Sequence, residues 1–317
     1  MREMLKKCSC HTPKLRLRFG SGTMIYCAIL FGTILMFPHP GYGQGLYGDP
    51  SSTLGHLGKF QLEVGTGSTV NPNLKINNKP VSVTARGQNF NLTASDTIVD
   101  IRTKQVFYTA TLGLGNSLDA FLKVGQFKAE DGFDGSNEPS GGLGFRFSPP
   151  QTSPIKLGFL FQAFYATSEN NAFATSVDTT FDTDSRGIKR SITASGTGKD
   201  KLRLIQYDAL LSLSVQDIPY VRPYGALLVS FQDRTEMGSF SGQGVMTTCV
   251  GVQCITSGTG PVELSWDTDV STDSVVGGVF GVSLRPFEWV GINLEGFLGA
   301  GHLGTQYGYT ASAFVNF

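Results

Sequence analysis

Residues 307–317, YGYTASAFVNF, alternate without a break. Tyr307, Tyr309, Ala311, Ala313, Val315 and Phe317 fall on one face, and Gly308, Thr310, Ser312, Phe314 and Asn316 on the other. A period of two over that length predicts a strand with one face against an apolar medium. The same alternation recurs along the chain. Near Lys59–Thr66, Phe60, Leu62 and Val64 oppose Lys59, Gln61 and Glu63. The stretch VFYTATLGLGNSLDAFLKVG reads as a hairpin turning at Asn116-Ser117: Val106, Tyr108, Ala110, Leu112 and Leu114 lead in, and Leu118, Ala120, Leu122 and Val124 lead out. Four more strands follow: Leu143–Phe147, Leu157–Tyr165, Ile205–Leu213 and Leu227–Phe231. A long strand from Leu264 through Trp266, Val270, Val276 and Phe280 to Leu284 reads as keeping one phase, and Val290–Leu298 precedes the last strand.

The connections are expected to alternate in length. Short turns fall near Asn116, Pro149, Asp217 and Phe287, and long polar loops at Val70–Ser95, Ala129–Ser140, Ser168 to about Asp200, and around Gly251. The apolar face carries no charge and the charges sit on the other face. A soluble sandwich would show polar residues outward. The pattern predicts an all-β, transmembrane, antiparallel up-and-down barrel of about ten strands, within a range of eight to twelve. No run after residue 43 is long and apolar enough for a spanning helix, which needs about 20 residues.

The first 43 residues read as a cleaved signal peptide: a basic lead (Arg2, Lys6, Lys7, Lys14, Arg16, Arg18), the apolar run Met24–Phe37, then Pro38, Pro40 and small residues. Residues 44–57 are expected to form a short periplasmic segment and residues 58–317 the barrel. The full chain has 25 Lys+Arg and 25 Asp+Glu; removing the leader takes away six basic residues and one acidic residue and leaves a net charge of −5. That balance offers no footprint for nucleic acid. Of five cysteines only Cys249 and Cys254 lie beyond the leader, and in an exported chain they read as a disulfide stapling a loop.

The alternation, the leader and the terminal Phe317 together resemble the small outer-membrane β-barrels of Gram-negative bacteria, the group that includes OmpA-type and OmpW-type proteins. The resemblance spans essentially the whole chain after the leader, as a pattern. It implies location in the outer membrane and contact with its lipid. It also implies a last strand whose Tyr309, Val315 and Phe317 serve as the signal read by the barrel-assembly machinery, and a monomer.

The inward set of charges is mixed: Lys59, Glu63, Asp119, Lys123, Arg146, Lys156, Asp208, Arg222 and Glu295. These are expected to fill the lumen as hydrogen-bonded pairs, with a slim conduit as the alternative. Asp267, Asp269 and Asp273 read as one polar face of the long strand, and Asp178, Asp182 and Asp184 as a loop cluster. Neither has calcium-loop spacing, so they read as solvated acids and no metal or cofactor is expected. His302 stands alone at a loop, without a partner that would make a nucleophile–base pair. The expected role is non-enzymatic, a structural or surface-interaction function of the long loops. A narrow porin-like channel is the alternative, and a rim hydrolase ranks below it.

Overall fold

Strands make up all the regular structure in the computed structural model, which describes residues 47–317 apart from 77–78, 86–87, 95–96, 131–134, 183–187, 257 and 302–303. In chain order they are β1 (Phe60–Ile76), β2 (Lys79–Ala85), β3 (Gln88–Ala94), β4 (Thr97–Gly113), β5 (Leu118–Glu130), β6 (Glu138–Phe147) and β7 (Ile155–Asp182). Then come β8 (Ile188–Val215), β9 (Val221–Val250), β10 (Gln253–Thr256), β11 (Gly260–Phe287), β12 (Val290–Gly301) and β13 (Gly304–Asn316). The predicted leader, Asp184 and His302 lie outside the described residues.

Ten of these strands close a ring. The antiparallel pairings run β1–β4–β5–β6–β7–β8–β9–β11–β12–β13 and return from β13 to β1. β2 and β3 form a hairpin added to the far end of β11, and β10 pairs with the end of β9. The ring count agrees with the about ten strands read from the alternation.

Side-chain parity also follows the reading over most of the ring. Leu122 (56% exposed), Leu143 (62%), Leu227 (64%), Phe280 (67%) and Leu298 (57%) stand outside, while Asp119, Gln162, Asp208 and Ser212 are buried inside. This distribution is inverted relative to a water-soluble domain. The outer apolar band ends abruptly: Tyr165, Ile205 and Phe231 are followed outward by Thr167, Arg203 and Asp233, and Lys201 pairs with Glu169 at 2.5 Å.

Three expectations need correction. First, much of the sequence read as long loop is strand. β7, β8 and β11 are 28 residues long and β9 is 30, against the roughly 9–11 that cross a bilayer. The segment Ser168–Asp200 continues the β7–β8 ladder, with Asp178 opposite Thr193 and Asp182 opposite Lys189. Val70–Ser95 likewise carries the end of β1 and the β2–β3 hairpin. In the extension the outward face is polar, and buried apolar side chains such as Ile192, Ala194 and Phe240 are spaced among Ser, Thr and Gly, so the alternation that marks a strand is faint while the backbone pairing goes on.

Second, β11 does not keep one phase. Its register with β9 shifts between Val270 and Asp273. Leu264 is buried on one side of the shift, while Val276 and Phe280 are exposed on the other. An extra residue in one strand of an antiparallel pair moves every later side chain to the opposite face. The same bulge separates the predicted acidic trio: Asp267 and Asp269 pair with Met237 and Thr235, whereas Asp273 pairs with Gln232, a position of the other parity.

Third, the segment expected on the periplasmic side enters the ring. Tyr47, Asp49 and Ser51 are buried, and Leu54 N–H donates to both carboxylate oxygens of Asp119 (3.0 and 3.2 Å). Gly158 on β7 makes the space: a Cβ there would lie 2.3 Å from Ser51 N.

Cys249 and Cys254 form the expected disulfide, across the tip where β9 turns into β10. A short cross-link of this kind is worth about 2 kcal/mol locally, so Cys249→Ser/Cys254→Ser should raise limited proteolysis at the tip roughly thirtyfold. The thermal unfolding of the ring should not move.

Candidate functional site

The inward parity of the ring gathers charge at one level. Six of the nine predicted lumen charges are buried: Glu63, Asp119, Lys123, Arg146, Asp208 and Glu295. Lys156 and Arg222 are half-buried and Lys59 is exposed, all three close to the short-turn end. Register explains the grouping. β12, β13 and β1 are consecutive in the ring, so Glu295, Thr310, Asn293, Ser312 and Glu63 project into the same sector.

Glu295 accepts from Tyr224 Oη (2.5 Å), Thr310 Oγ1 (3.0 Å) and the backbone N–H of Tyr47 (3.0 Å). Tyr224 reaches it across Gly281, where a Cβ would stand 2.2 Å from the tyrosine ring. Glu63 accepts from Asn293 Nδ2 (3.1 Å) and from Ser312 Oγ. Asp208 accepts from Gln162 Nε2 and Gln206 Nε2, both at 2.7 Å. Lys123 donates to Gln162 Oε1 (3.4 Å), lies 5.0 Å from the Phe107 ring, and is within Coulombic reach of Glu63, Glu295 and Asp208. Arg146 donates to Gln61 (3.4 Å) and Thr111 (3.1 Å) and lies over Phe121.

Apolar side chains fill further parts of the interior. Phe127, Ala129, Phe164, Ala166, Leu202 and Leu204 form one cluster, and Tyr47, Phe121, Leu160, Leu210, Leu228, Val279 and Phe297 belong to another. Each buried carboxylate therefore sits among donors and hydrocarbon, the condition under which a charge inside a protein is tolerated.

The parity that predicts the charges gives no notice of Tyr47, Asp49 or Tyr224. Tyr47 and Asp49 precede the first strand and carry no period, and Tyr224 differs from its outward tyrosine counterparts only by its place in β9. Arg234 is buried as well, donating to Gln232. Among the described residues no three His, Cys, Asp or Glu side chains gather as a metal ion would require.

A closed ring with hydrocarbon outside and a hydrogen-bonded polar interior settles the architecture. The fold is an up-and-down barrel of the outer-membrane kind. No family model matches the chain, and no curated protein matches it. Among solved structures it is similar to the outer membrane protease OmpT from Escherichia coli: 9% identity, TM-score 0.41, covering 84% of this chain and 98% of that one. The translocator domain of the autotransporter NalP from Neisseria meningitidis aligns at 10% identity and TM-score 0.35, over 93% and 96%. A COG4313 outer membrane channel from Pseudomonas putida F1 aligns at 9% identity and TM-score 0.35, over 86% and 100%. These likenesses are too distant to carry a role across.

Of the predicted insertion-signal residues, Tyr309 and Val315 lie on the outward face of β13 and Phe317 follows its end, with Tyr309 and Phe317 exposed. Of the interior cations, Lys123 lies within Coulombic reach of Glu63, Glu295 and Asp208. Lys123→Met should destabilise the barrel by about 3–5 kcal/mol, because it leaves buried negative charge uncompensated. The midpoint of urea unfolding in lipid vesicles reads this.

Proposed function

We propose that this is an integral outer-membrane barrel without catalytic activity, whose work is done by the sheet that β7, β8, β9 and β11 carry beyond the apolar band. One observation supports this above others. The far end of that sheet is a disulfide-clamped tip with Val250, Val252 and Ile255 exposed at 57%, 99% and 78%. Solvent-facing hydrocarbon held in a fixed shape suits contact with a partner rather than simple solvation. The stiffness of paired strands lowers the ordering cost of such a contact. The outer band supports lipid as the barrel's surroundings, and the aromatic residues at its edges suit membrane interfaces.

The tip reading predicts that Val252→Asp/Ile255→Asp lowers retention of cells displaying the protein on alkyl-coated surfaces by several fold. Equal retention of variant and parent, at equal surface level, would remove it.

A narrow channel is the second reading, and the polar level around Lys123 favours it. The segment Tyr47–Leu54 then acts as the obstruction, since it lies in the ring against Glu295 and Asp119. Planar-bilayer recording separates the two. The parent protein is expected to be silent. Gly158→Leu, which displaces Ser51, should show stepwise conductance if the segment is what blocks a path. Silence of both proteins would leave the channel reading without support.

A further inference from the structure

The ring is open at its short-turn end. Below the Asp49–Ser51 segment lies a cavity of about 870 Å³. Lys59, Arg222 and Arg285 line it, and Glu288 is the one acidic side chain in its wall. Arg285 has neutral partners: Nη2 donates to Ser52 Oγ (2.5 Å), Nε donates to Ser283 Oγ (3.2 Å), and the guanidinium lies 5.1 Å from the Phe314 ring. Among the described residues no carboxylate comes within ion-pair distance of Lys59, Arg222 or Arg285, and neither Lys59 nor Arg222 makes a side-chain hydrogen bond. Residues 1–46 contain a single acid, Glu3. Arg285 also feels the more distant charges of Asp49 and Glu63, opposed by those of Arg222 and Arg146.

We propose that this mouth is a binding site for a phosphate-bearing ligand. Two guanidinium groups and an ammonium converge on a space within the roughly 300–1,000 Å³ range of small-ligand sites. Arginine presents paired donors that match a phosphate's oxygens. The wall also holds Phe287 and Trp289, stacked at 5.6 Å, and Phe287 faces outward at the edge of the apolar band. A cationic floor beside an apolar rim suits a phosphate ester whose remainder is hydrocarbon. The phosphate comes either from a phospholipid headgroup entering from the facing leaflet or from a soluble ester. The site depends on the closed ring and not on the tip, so either reading can fail alone.

Trp289 emission, read in a Trp266→Phe background, reports occupancy of the full-length protein purified in a neutral detergent. The protein is titrated with glycerol 3-phosphate, with dioleoylphosphatidylglycerol and with dioleoylphosphatidylcholine as the zwitterionic comparison. Saturable binding of glycerol 3-phosphate identifies a soluble source. Saturation by phosphatidylglycerol alone identifies a headgroup. In either case Lys59→Gln/Arg222→Gln should weaken binding at least tenfold, and Arg222→Lys, which keeps the charge but not the paired donors, should weaken it by less than the double change does. Heat-modifiable gel mobility verifies folding, which neither change should disturb because these side chains make no hydrogen bond. No saturable response to either anionic probe, or the same affinity in the double variant as in the parent, overturns the proposal.

Discussion

The seam between β1 and β13 is the interaction on which everything else depends. Gln61 to Val70 pair with Asn316 back to Tyr307, and Phe60 and Phe317 exchange backbone hydrogen bonds (3.3 and 2.8 Å). With that seam made, every strand of the ring has two neighbours and no row of N–H and C=O groups faces hydrocarbon. Closure also turns alternation into geometry. Each residue of a ring strand must point into the lumen or out of it, so a two-residue period becomes an inside and an outside.

That division explains how an interior rich in Glu, Asp, Lys and Arg can hold together. The outer face supplies the hydrophobic contact with the surroundings, so the lumen is free to be polar. The lumen then has to satisfy itself. It does so with short-range donors: Tyr224 and Thr310 on Glu295, Asn293 and Ser312 on Glu63, Gln162 and Gln206 on Asp208. Glutamines recur because they both give and accept, as in the reciprocal pair Gln232 and Gln306 (3.2 and 3.1 Å). The chain's own segment around Tyr47 completes the set by donating a backbone N–H that no strand could spare.

Where one face meets hydrocarbon, the sequence is legible. The ring strands from Leu118–Val124 to the last one show their parity plainly, and six of nine lumen charges are where parity puts them. Legibility ends at the edge of the band. Beyond Tyr165 and Ile205 the outward face of β8 carries Thr193, Ser195, Thr197 and Lys199 where the band has hydrocarbon, and the buried apolar positions, such as Ile192 and Ala194, are few, so the period is faint. The bulge between Val270 and Asp273 is invisible for a related reason: a phase change leaves composition untouched. Tyr47 and Asp49 are harder still, because their burial comes from partners more than a hundred residues away in the chain.

The unbroken ladder from the band to the disulfide-clamped tip has a mechanical consequence. A pull on Val252 runs along the length of β9, parallel to its strands. The hydrogen bonds to β8 and β11 are then loaded sideways and all together, rather than unzipped one at a time from an end. Tension at the outermost point therefore reaches the wall of the ring undiminished, as it would through a stiff strut and not through a tether.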